Sequence, residues 1–151
     1  MKILIVGNGA RESALALKLR DDSRISKLYF AKGTVTTAEL GQNVYDESVE
    51  GLRDFAIKER IDLTIVGPEA PLVEGIVDEF KKHGLKIFGP EKRAAELEGS
   101  KAFSKKFMQT NNIKTAKAVV FDAYHDAIEY VRNQKFPIVI KASGLAGGKG
   151  V

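Results

Sequence analysis

The stretch Gly7-Asn8-Gly9-Ala10-Arg11-Glu12 decides the fold of this chain. It follows an apolar run, Ile3-Leu4-Ile5-Val6, and precedes a helix-compatible run from Ala10 to Leu19. A buried strand, a glycine turn and a helix form the opening unit of a doubly wound α/β domain. Glycines in such a turn let a ligand approach backbone N–H groups at a helix N-terminus, where the positive dipole end favours anions. The sequence therefore predicts an anion-binding site at the start of the first helix.

Glu12 argues against a dinucleotide as the ligand of this turn. The dinucleotide fingerprint places a third glycine at this position, and a carboxylate would face the pyrophosphate with like charge. A smaller ligand fits better, with a phosphate for the turn amides and an amine or hydroxyl group for Glu12. The alternative is a purely structural turn in which Glu12 is an ordinary helix-opening residue.

Strands and helices are predicted to alternate as far as residue 99. Apolar runs predict three more strands, at 27–31, 63–66 and 85–88. Apolar residues at helical spacing predict two more helices, at 49–59 and from Val73 to Phe80. The stretch 32–42 is rich in Gly and Thr and is predicted to be a loop. We therefore expect a Rossmann-like parallel sheet with helices on both faces.

The connection Gly67-Pro68-Glu69-Ala70-Pro71 contains a second candidate ligand group. Pro68 cannot donate a ladder hydrogen bond, so the preceding strand ends there and Glu69 lies at the carboxyl edge of the sheet. Ligands of open α/β sheets bind at that edge. Glu12 and Glu69 are thus predicted to accept hydrogen bonds from one ligand whose phosphate is held by the turn amides.

Residues after Gly99 carry a second set of signals. Ser100 is a predicted cap for a helix at 101–109. The apolar pattern then predicts a strand at 116–121, a helix at 124–131 and a strand at 137–141. Burying the Lys141 ammonium at the end of that last strand would be costly unless an anion pairs with it.

The glycine-rich loop, Ser143 to Gly150, follows this strand directly. Its glycines and Lys149 suit the wrapping of phosphates by backbone amides. The loop differs from the Walker P-loop because Gly150, and not Ser or Thr, follows Lys149. The alternative is a disordered glycine-rich segment with Lys141 extending to water.

Composition excludes several classes of function. The 151 residues contain no Cys, which rules out disulfides, thiolate catalysis and Cys-ligated zinc. The two His residues lie far apart in the sequence, so we expect no metal site from them. A net charge of +4 without a basic stripe does not favour nucleic acid as a partner. Without an apolar run of membrane length or a leader-like segment, we expect a soluble cytoplasmic protein that binds phosphorylated small molecules.

Five stretches together resemble the glycinamide ribonucleotide synthetase (phosphoribosylamine–glycine ligase) family of the ATP-grasp superfamily. They are 7–12, 62–73, 87–90, 97–103 and 138–151. The resemblance implies an enzyme of purine biosynthesis that joins 5-phosphoribosylamine and glycine with ATP, giving glycinamide ribonucleotide, ADP and phosphate. It also implies a biotin-carboxylase-like N-terminal domain at 1–99 that binds phosphoribosylamine, and the beginning of an ATP-grasp domain at 100–151.

The resemblance assigns ligand contacts residue by residue. Substrate contacts fall on Gly9, Ala10, Arg11, Glu12, Pro68 and Glu69. ATP contacts fall on Lys101, Lys141, Ser143, Gly144, Gly147, Gly148, Lys149 and Gly150. The family's Mg²⁺ or Mn²⁺ ligands have no match in these residues, so we expect the 151-residue chain to be inactive alone. The family is usually monomeric, but apolar surface from Lys101 onward is expected to favour self-association.

Three positions depart from the family pattern, and three other functions compete with this one. Ser13 replaces His, Lys32-Gly33-Thr34-Val35-Thr36 replaces a Pro-Gly-Asn pattern, and Ser143 replaces Asp. One competing function is another ATP-grasp ligase or carboxylase, which 67–72 fits less well. The others are a non-catalytic nucleotide- or sugar-phosphate-binding domain and a dinucleotide oxidoreductase, which Glu12 disfavours.

Overall fold

The computed structural model describes residues 1–147 and 149–151 of the chain. They fold into two compact units, Met1–Ala95 and Glu96–Val151. The strands are β1 (Lys2–Val6), β2 (Lys27–Ala31), β3 (Gln42–Val44), β4 (Leu63–Val66) and β5 (Ile87–Phe88). The helices are α1 (Ala10–Leu19), α2 (Val35–Ala38), α3 (Val49–Glu59), α4 (Glu69–Glu74), α5 (Ile76–Lys82), α6 (Lys92–Gly99), α7 (Lys101–Thr110) and α8 (Tyr124–Arg132).

The five strands form one parallel sheet in the order β3-β2-β1-β4-β5, which confirms the predicted fold class. The chain first runs outward from β1 to β2 and β3, and then returns to place β4 on the other side of β1. Val6, the last residue of β1, pairs with Ala31 of β2 and with Val66 of β4. The turns after β1 and β4 therefore begin side by side at the topological switch point, where ligands of such sheets bind.

Helices cover both faces of the sheet, as predicted. Leu4 of β1 belongs to a buried cluster that includes Leu52 of α3 and Phe80 of α5. The neighbouring residue Ile5 belongs to a second cluster that includes Ala16 of α1. Because successive strand residues point to opposite faces, β1 is buried on both sides, which accounts for its continuous apolar run.

The predicted loop at 32–42 is wrong, because it contains α2 and leads into the edge strand β3. Thr34 caps α2 by accepting a hydrogen bond from the Thr37 N–H at 3.3 Å. The side-chain amide of Asn43 donates to the Thr34 carbonyl at 2.9 Å and so ties β3 to this turn. A strand of three residues is too short to show an alternating apolar pattern, so the sequence does not predict it.

The structure divides one predicted helix into two and contains a further helix that the sequence analysis did not predict. The predicted helix from Val73 to Phe80 is divided into α4 and α5 by Gly75, whose φ of +103° lies in the left-handed region. The helix α6 was not predicted, although its Ala, Glu, Leu, Lys and Arg residues are good helix formers.

In the second unit the predicted helices are confirmed and the predicted strands are wrong. Ser100 accepts a hydrogen bond from the Phe103 N–H at 3.2 Å and begins α7, while α8 matches the predicted amphipathic helix. The stretches 116–121 and 137–141 form no ladder with any described residue. Val120 and Val139 are exposed there. An apolar run becomes a strand only when a partner strand accepts its hydrogen bonds.

Thr64 in β4 carries a buried hydroxyl group that has no hydrogen-bond partner among the described residues. Burying such a group costs about 1–3 kcal/mol, and valine has nearly the same shape without it. Thr64→Val is therefore expected to raise the free energy of unfolding by about 1 kcal/mol in urea denaturation. The control is Thr37→Val, which removes a buried hydroxyl that donates to Asn43 Oδ1 at 2.9 Å and should destabilise the chain. A loss of stability in Thr64→Val would contradict this prediction.

An ion pair links α3 to α5. The Arg53 guanidinium donates to the Glu79 carboxylate and holds the pKa of that carboxyl below its ordinary value of 4.5. The unfolded chain therefore takes up this proton first, and the stability from the pair is present above about pH 4.5 and lost as the pH falls through the lower folded-state pKa. Glu79→Gln is expected to lose less stability than the unmodified chain between about pH 5 and about pH 3 in urea denaturation. Glu74→Gln, at an exposed position, should show the same dependence of the free energy of unfolding on pH as the unmodified chain. If this dependence is equal in all three proteins, the Arg53–Glu79 pair is not its cause.

Candidate functional site

The turn after β1 presents the N-terminus of α1. The Gly7 N–H donates to the Ala31 carbonyl at 3.2 Å, and Gly7 adopts a φ of +118°. Gly9 is the N-cap residue and has no side chain with which to cap the helix. The first intrahelical bond runs from the Ser13 N–H to the Gly9 carbonyl at 3.1 Å. The N–H groups of residues 10–12 therefore lack carbonyl acceptors within the helix, and the positive end of the helix dipole favours an anion there.

The turn after β4 begins beside the first turn. The Gly67 N–H donates to the Val6 carbonyl at 3.0 Å, so this turn starts where β1 ends. Pro68 is the extended N-cap residue of α4, and Glu69 is the first residue of that helix. Glu69 thus lies at the carboxyl edge of the sheet, as the sequence predicted. We call the six residues that these two turns contribute the edge site: Gly9, Ala10, Arg11, Glu12, Pro68 and Glu69.

Arg11 connects the two turns through its side chain. Its guanidinium donates to the Gly67 carbonyl, and one of its nitrogens lies 3.6 Å from a Glu69 carboxylate oxygen. The side chains of Arg11 and Glu69 are 62% and 44% exposed. An exposed pair of this kind contributes little to stability. Its consequence is that one cation and one carboxylate lie together at the edge site, both accessible to a ligand.

Glu12 differs from Glu69 because it is only 4% exposed. Its Oε2 accepts a hydrogen bond from the Gly9 N–H at 2.6 Å. A Cβ built on Gly67 would lie 1.8 Å from Glu12 Oε1, and one built on Gly7 would lie 2.8 Å from Glu12 Cδ. The Glu12 side chain therefore fills the space that two glycines leave between the turns. Its packing agrees with the helix-opening interpretation and gives the carboxylate a partner within the chain.

Gly67 is the member of this arrangement to which sequence reasoning gave no role. Its signal was present, since it is the glycine that directly follows a buried strand, as Gly7 does after β1. The two departures from the family pattern in this unit also have partners within the chain. The Ser13 hydroxyl donates to the Gly9 carbonyl at 3.2 Å. Lys32 adopts a φ of +60° and its ammonium pairs with Glu47 at 2.8 Å.

In the second unit the glycine-rich loop contacts the N-terminus of α7. The Lys101 ammonium donates to the Gly144 carbonyl at 2.9 Å. The Ser143 hydroxyl accepts from the Ala102 N–H at 3.2 Å, so the residue that replaces the family's Asp serves as an acceptor for this helix. The structure therefore brings together three of the predicted ATP contacts: Lys101, Ser143 and Gly144.

Of the remaining predicted ATP contacts that the structure describes, Gly147, Lys149 and Gly150 belong to this loop and Lys141 precedes it. The Ala142 N–H donates to the Gly150 carbonyl at 2.8 Å, and the Lys149 N–H donates to the Ala146 carbonyl at 2.9 Å. Gly147 adopts a φ of +55°. The residues Lys141 and Lys149 are exposed, which agrees with the alternative in which the Lys141 side chain extends to water. Gly148 lies outside the described residues.

Removing the Ser143 hydroxyl is expected to loosen the glycine-rich loop. Ser143→Ala deletes the acceptor of the Ala102 N–H in the first turn of α7, and losing a side-chain acceptor at a helix N-terminus costs about 1 kcal/mol. Amide hydrogen exchange at Ala102 should therefore accelerate by about fivefold. Ser104→Ala, on the same helix, is the control and should leave exchange at Ala102 unchanged. Equal exchange rates in Ser143→Ala and the unmodified chain would show that the hydroxyl does not hold the loop.

Neither a metal centre nor a membrane span is found in the described part of the chain. No three His, Cys, Asp or Glu side chains converge there as a metal site, so the described residues alone provide no cluster of protein ligands for the Mg²⁺ or Mn²⁺ that the resemblance implies. None of the helices within residues 1–147 and 149–151 has both the length and the apolar character needed to cross a bilayer.

Two family models together match the whole chain. The model described as phosphoribosylglycinamide synthetase, N domain, matches residues 1–98. The model described as phosphoribosylglycinamide synthetase, ATP-grasp (A) domain, matches residues 99–151.

Curated relatives match the full length of this chain but only part of their own. The phosphoribosylamine–glycine ligase of Clostridium acetobutylicum is 54% identical over 100% of this chain, which spans 37% of that protein. The phosphoribosylamine–glycine ligase of Escherichia coli K12 is 51% identical over 100% of this chain, which spans 36% of that protein. The chain therefore spans little more than a third of the length of these relatives.

Solved structures share the fold. The crystal structure of phosphoribosylamine–glycine ligase from Thermotoga maritima matches 99% of this chain and 35% of its own, with a TM-score of 0.74 and 29% identity. The biotin carboxylase domain of Hydrogenobacter thermophilus 2-oxoglutarate carboxylase matches 97% of this chain and 36% of its own, with a TM-score of 0.75 and 18% identity, and so shows the fold alone. The resemblance seen in the sequence is confirmed, and the chain belongs to the phosphoribosylglycinamide synthetase family.

Proposed function

We propose that this chain contributes the sugar-phosphate site and part of the ATP site of a cytoplasmic ligase. The reaction joins 5-phosphoribosylamine to glycine with ATP and gives glycinamide ribonucleotide, ADP and phosphate. The observation that carries the proposal is the edge site, where the first amides of α1 and the exposed Glu69 carboxylate lie at the same switch point. The reaction is inferred from membership of the family, and the geometry of the edge site is suited to binding a sugar phosphate with an amine.

Two kinds of group in the edge site are proposed to bind different parts of the ligand. The first amides of α1 suit the 5-phosphate, because they lack intrahelical acceptors at the positive end of the helix. Glu69 suits the amine or the ribose hydroxyls, because an exposed carboxylate accepts charge-assisted hydrogen bonds. Arg11 adds a positive charge within reach of the same ligand. No side chain of the site needs to form a covalent bond with the substrate, and the site acts by positioning the amine.

The second unit is proposed to hold the nucleotide. Lys101, Lys141 and Lys149 supply positive charge for the phosphates, and the glycine-rich loop supplies backbone amides. In the reaction a glycine carboxylate oxygen attacks the γ-phosphorus and ADP leaves. The phosphoribosylamine nitrogen then attacks the acyl carbon, loses a proton, and phosphate departs. A loop that covers the acyl phosphate would exclude water from this labile intermediate.

Lys101 has a specific consequence for nucleotide binding. Its ammonium already donates to the Gly144 carbonyl at 2.9 Å. An ammonium has three protons to donate, so Lys101 can hold a phosphate while it keeps the loop in place.

Titration with the stable product tests the proposal. Calorimetry of the chain with glycinamide ribonucleotide should give saturable binding, and NAD at the same concentrations should give none. The dinucleotide control is informative because the Glu12 side chain occupies the position where the dinucleotide fingerprint has glycine. Saturable NAD binding without a response to the ribonucleotide would remove the proposal in favour of an oxidoreductase domain.

A further inference from the structure

The role of Glu12 goes beyond ligand contact, and this inference rests on the proposed function of the edge site. We infer that Glu12 is a positioning residue: its buried carboxylate joins the turn after β1 to the turn after β4 and sets the spacing of the edge site without touching the ligand. The groups that touch the ligand are then the first amides of α1 and the exposed Glu69 carboxylate.

The hydrogen bond to Gly9 is the first observation. Glu12 Oε2 accepts the Gly9 N–H at 2.6 Å, and Gly9 has the extended conformation, with φ of −88° and ψ of −175°, that begins α1. A carboxylate that accepts the N-cap amide consumes one of the orphan donors and fixes the direction in which the helix starts. The amides proposed to bind phosphate follow Gly9 directly, so their placement depends on this bond.

The absence of side chains at Gly7 and Gly67 is the second observation. A Cβ on Gly67 would lie 1.8 Å from Glu12 Oε1, and a Cβ on Gly7 would lie 2.9 Å from Glu12 Cγ and 2.7 Å from Pro68 Cδ. Glu12 and Pro68 therefore both pack against Gly7, and Glu12 also packs against Gly67. Because protein interiors are close-packed, a shorter side chain at position 12 would leave a void between the two turns.

Accessibility separates Glu12 from the ligand groups. Glu12 is 4% exposed, whereas the side chains of Arg11 and Glu69 are 62% and 44% exposed. A ligand that reaches the edge site meets Arg11 and Glu69 first. Glu12 acts on that ligand through Gly9 on its own turn and through Gly67 on the other.

Three substitutions at position 12 distinguish positioning from direct contact. Glu12→Gln keeps the length and an oxygen acceptor for the Gly9 N–H but removes the charge. Glu12→Asp keeps the charge but is one methylene too short, and Glu12→Ala removes both. If Glu12 positions the site, Glu12→Gln should keep the affinity for glycinamide ribonucleotide within about threefold, while Glu12→Asp and Glu12→Ala should weaken it by about tenfold or more.

A second readout needs no ligand. In amide NMR spectra of the free chain, Glu12→Ala should shift the signals of Gly67 and Glu69, which lie more than 50 positions away in the sequence, and Glu12→Gln should restore them. If the unmodified chain does not bind the ribonucleotide, the proposed function fails, and these shifts still decide the role of Glu12. The inference is overturned if Glu12→Gln loses as much affinity as Glu69→Gln, or if Glu12→Ala leaves the Gly67 and Glu69 signals in place.

Discussion

Replacing Glu69 with glutamine is expected to lower the affinity for glycinamide ribonucleotide by about 10- to 100-fold, because a hydrogen bond to a charged group contributes about 1.5–3 kcal/mol. Glu69 is the first residue of α4, and its carboxylate lies 3.6 Å from the Arg11 guanidinium at the carboxyl edge of the sheet. Glutamine keeps the size of the side chain but removes the negative charge that strengthens a hydrogen bond from a ribose hydroxyl or from the amide N–H of this ligand. Calorimetric titration of the variant measures the effect directly.

Glu74→Gln provides the matched control for this experiment. Glu74 is the last residue of the same helix and is exposed, so its substitution removes the same charge at a different place. Its affinity should equal that of the unmodified chain. Because the Arg11–Glu69 pair is exposed and contributes little to stability, both variants should also melt at nearly the same temperature. An equal loss of affinity in the two variants would mean that net charge, and not contact with Glu69, governs binding.

Replacing Gly67 with alanine is expected to lower the free energy of unfolding by about 3 kcal/mol. The new Cβ would lie 1.8 Å from Glu12 Oε1 and 2.6 Å from Glu12 Cδ. Both positions are far inside van der Waals contact, and Glu12 is buried, so the carboxylate must move and its hydrogen bond from the Gly9 N–H must be disturbed. Urea denaturation measures the loss, and ribonucleotide titration should show weaker binding as well.

Gly84→Ala and a double variant identify the cause of this loss. Gly84 adopts a φ of +68° and has open space around it, so alanine there should cost only the left-handed backbone penalty of about 1 kcal/mol. Adding Glu12→Ala to Gly67→Ala removes the clashing carboxylate, so the double variant should lose less stability than the two single variants together. The two turns are not packed through Glu12 if Gly67→Ala loses no more stability than Gly84→Ala. The same conclusion follows if the losses in free energy of unfolding from Gly67→Ala and Glu12→Ala simply add in the double variant.

Local patterns were sufficient to predict the part of the fold that contains the edge site. The run at Ile3 to Val6, the glycines after it and the helix from Ala10 lie within 17 consecutive residues, 3 to 19, and were all placed correctly. The strand at 63–66 and the turn at Pro68 that follows it were also placed correctly. Both segments are specified by neighbours in the sequence, through burial periodicity and the missing donor of proline.

Three elements whose formation depends on a distant partner strand were missed or wrong. The edge strand β3 is three residues long and is held by β2 and by Asn43, which donates to Thr34. The runs at 116–121 and 137–141 have the composition of strands but no ladder among the described residues. Apolar composition and β-branching favour strand formation, but a strand forms only where another strand pairs with it.

The candidate site shows the same limit at a single residue. Glu12 and Glu69 are both acidic residues near a glycine turn, and sequence alone allowed both to face a ligand. The structure separates them, because Gly67, which is 55 positions from Glu12 in the chain, provides the space in which Glu12 is buried. Burial is a property of packing between the two turns, and no pattern around Glu12 reports it.

Mapping the bound ribonucleotide tests the central claim most directly, which is that the switch point between β1 and β4 holds a sugar phosphate. Amide NMR signals of the chain should be followed during titration with glycinamide ribonucleotide. We expect saturable shifts at Ala10 and Arg11, where the phosphate would bind, and at Glu69 across the switch point. Saturable binding that shifts other residues and leaves these three unchanged would contradict it.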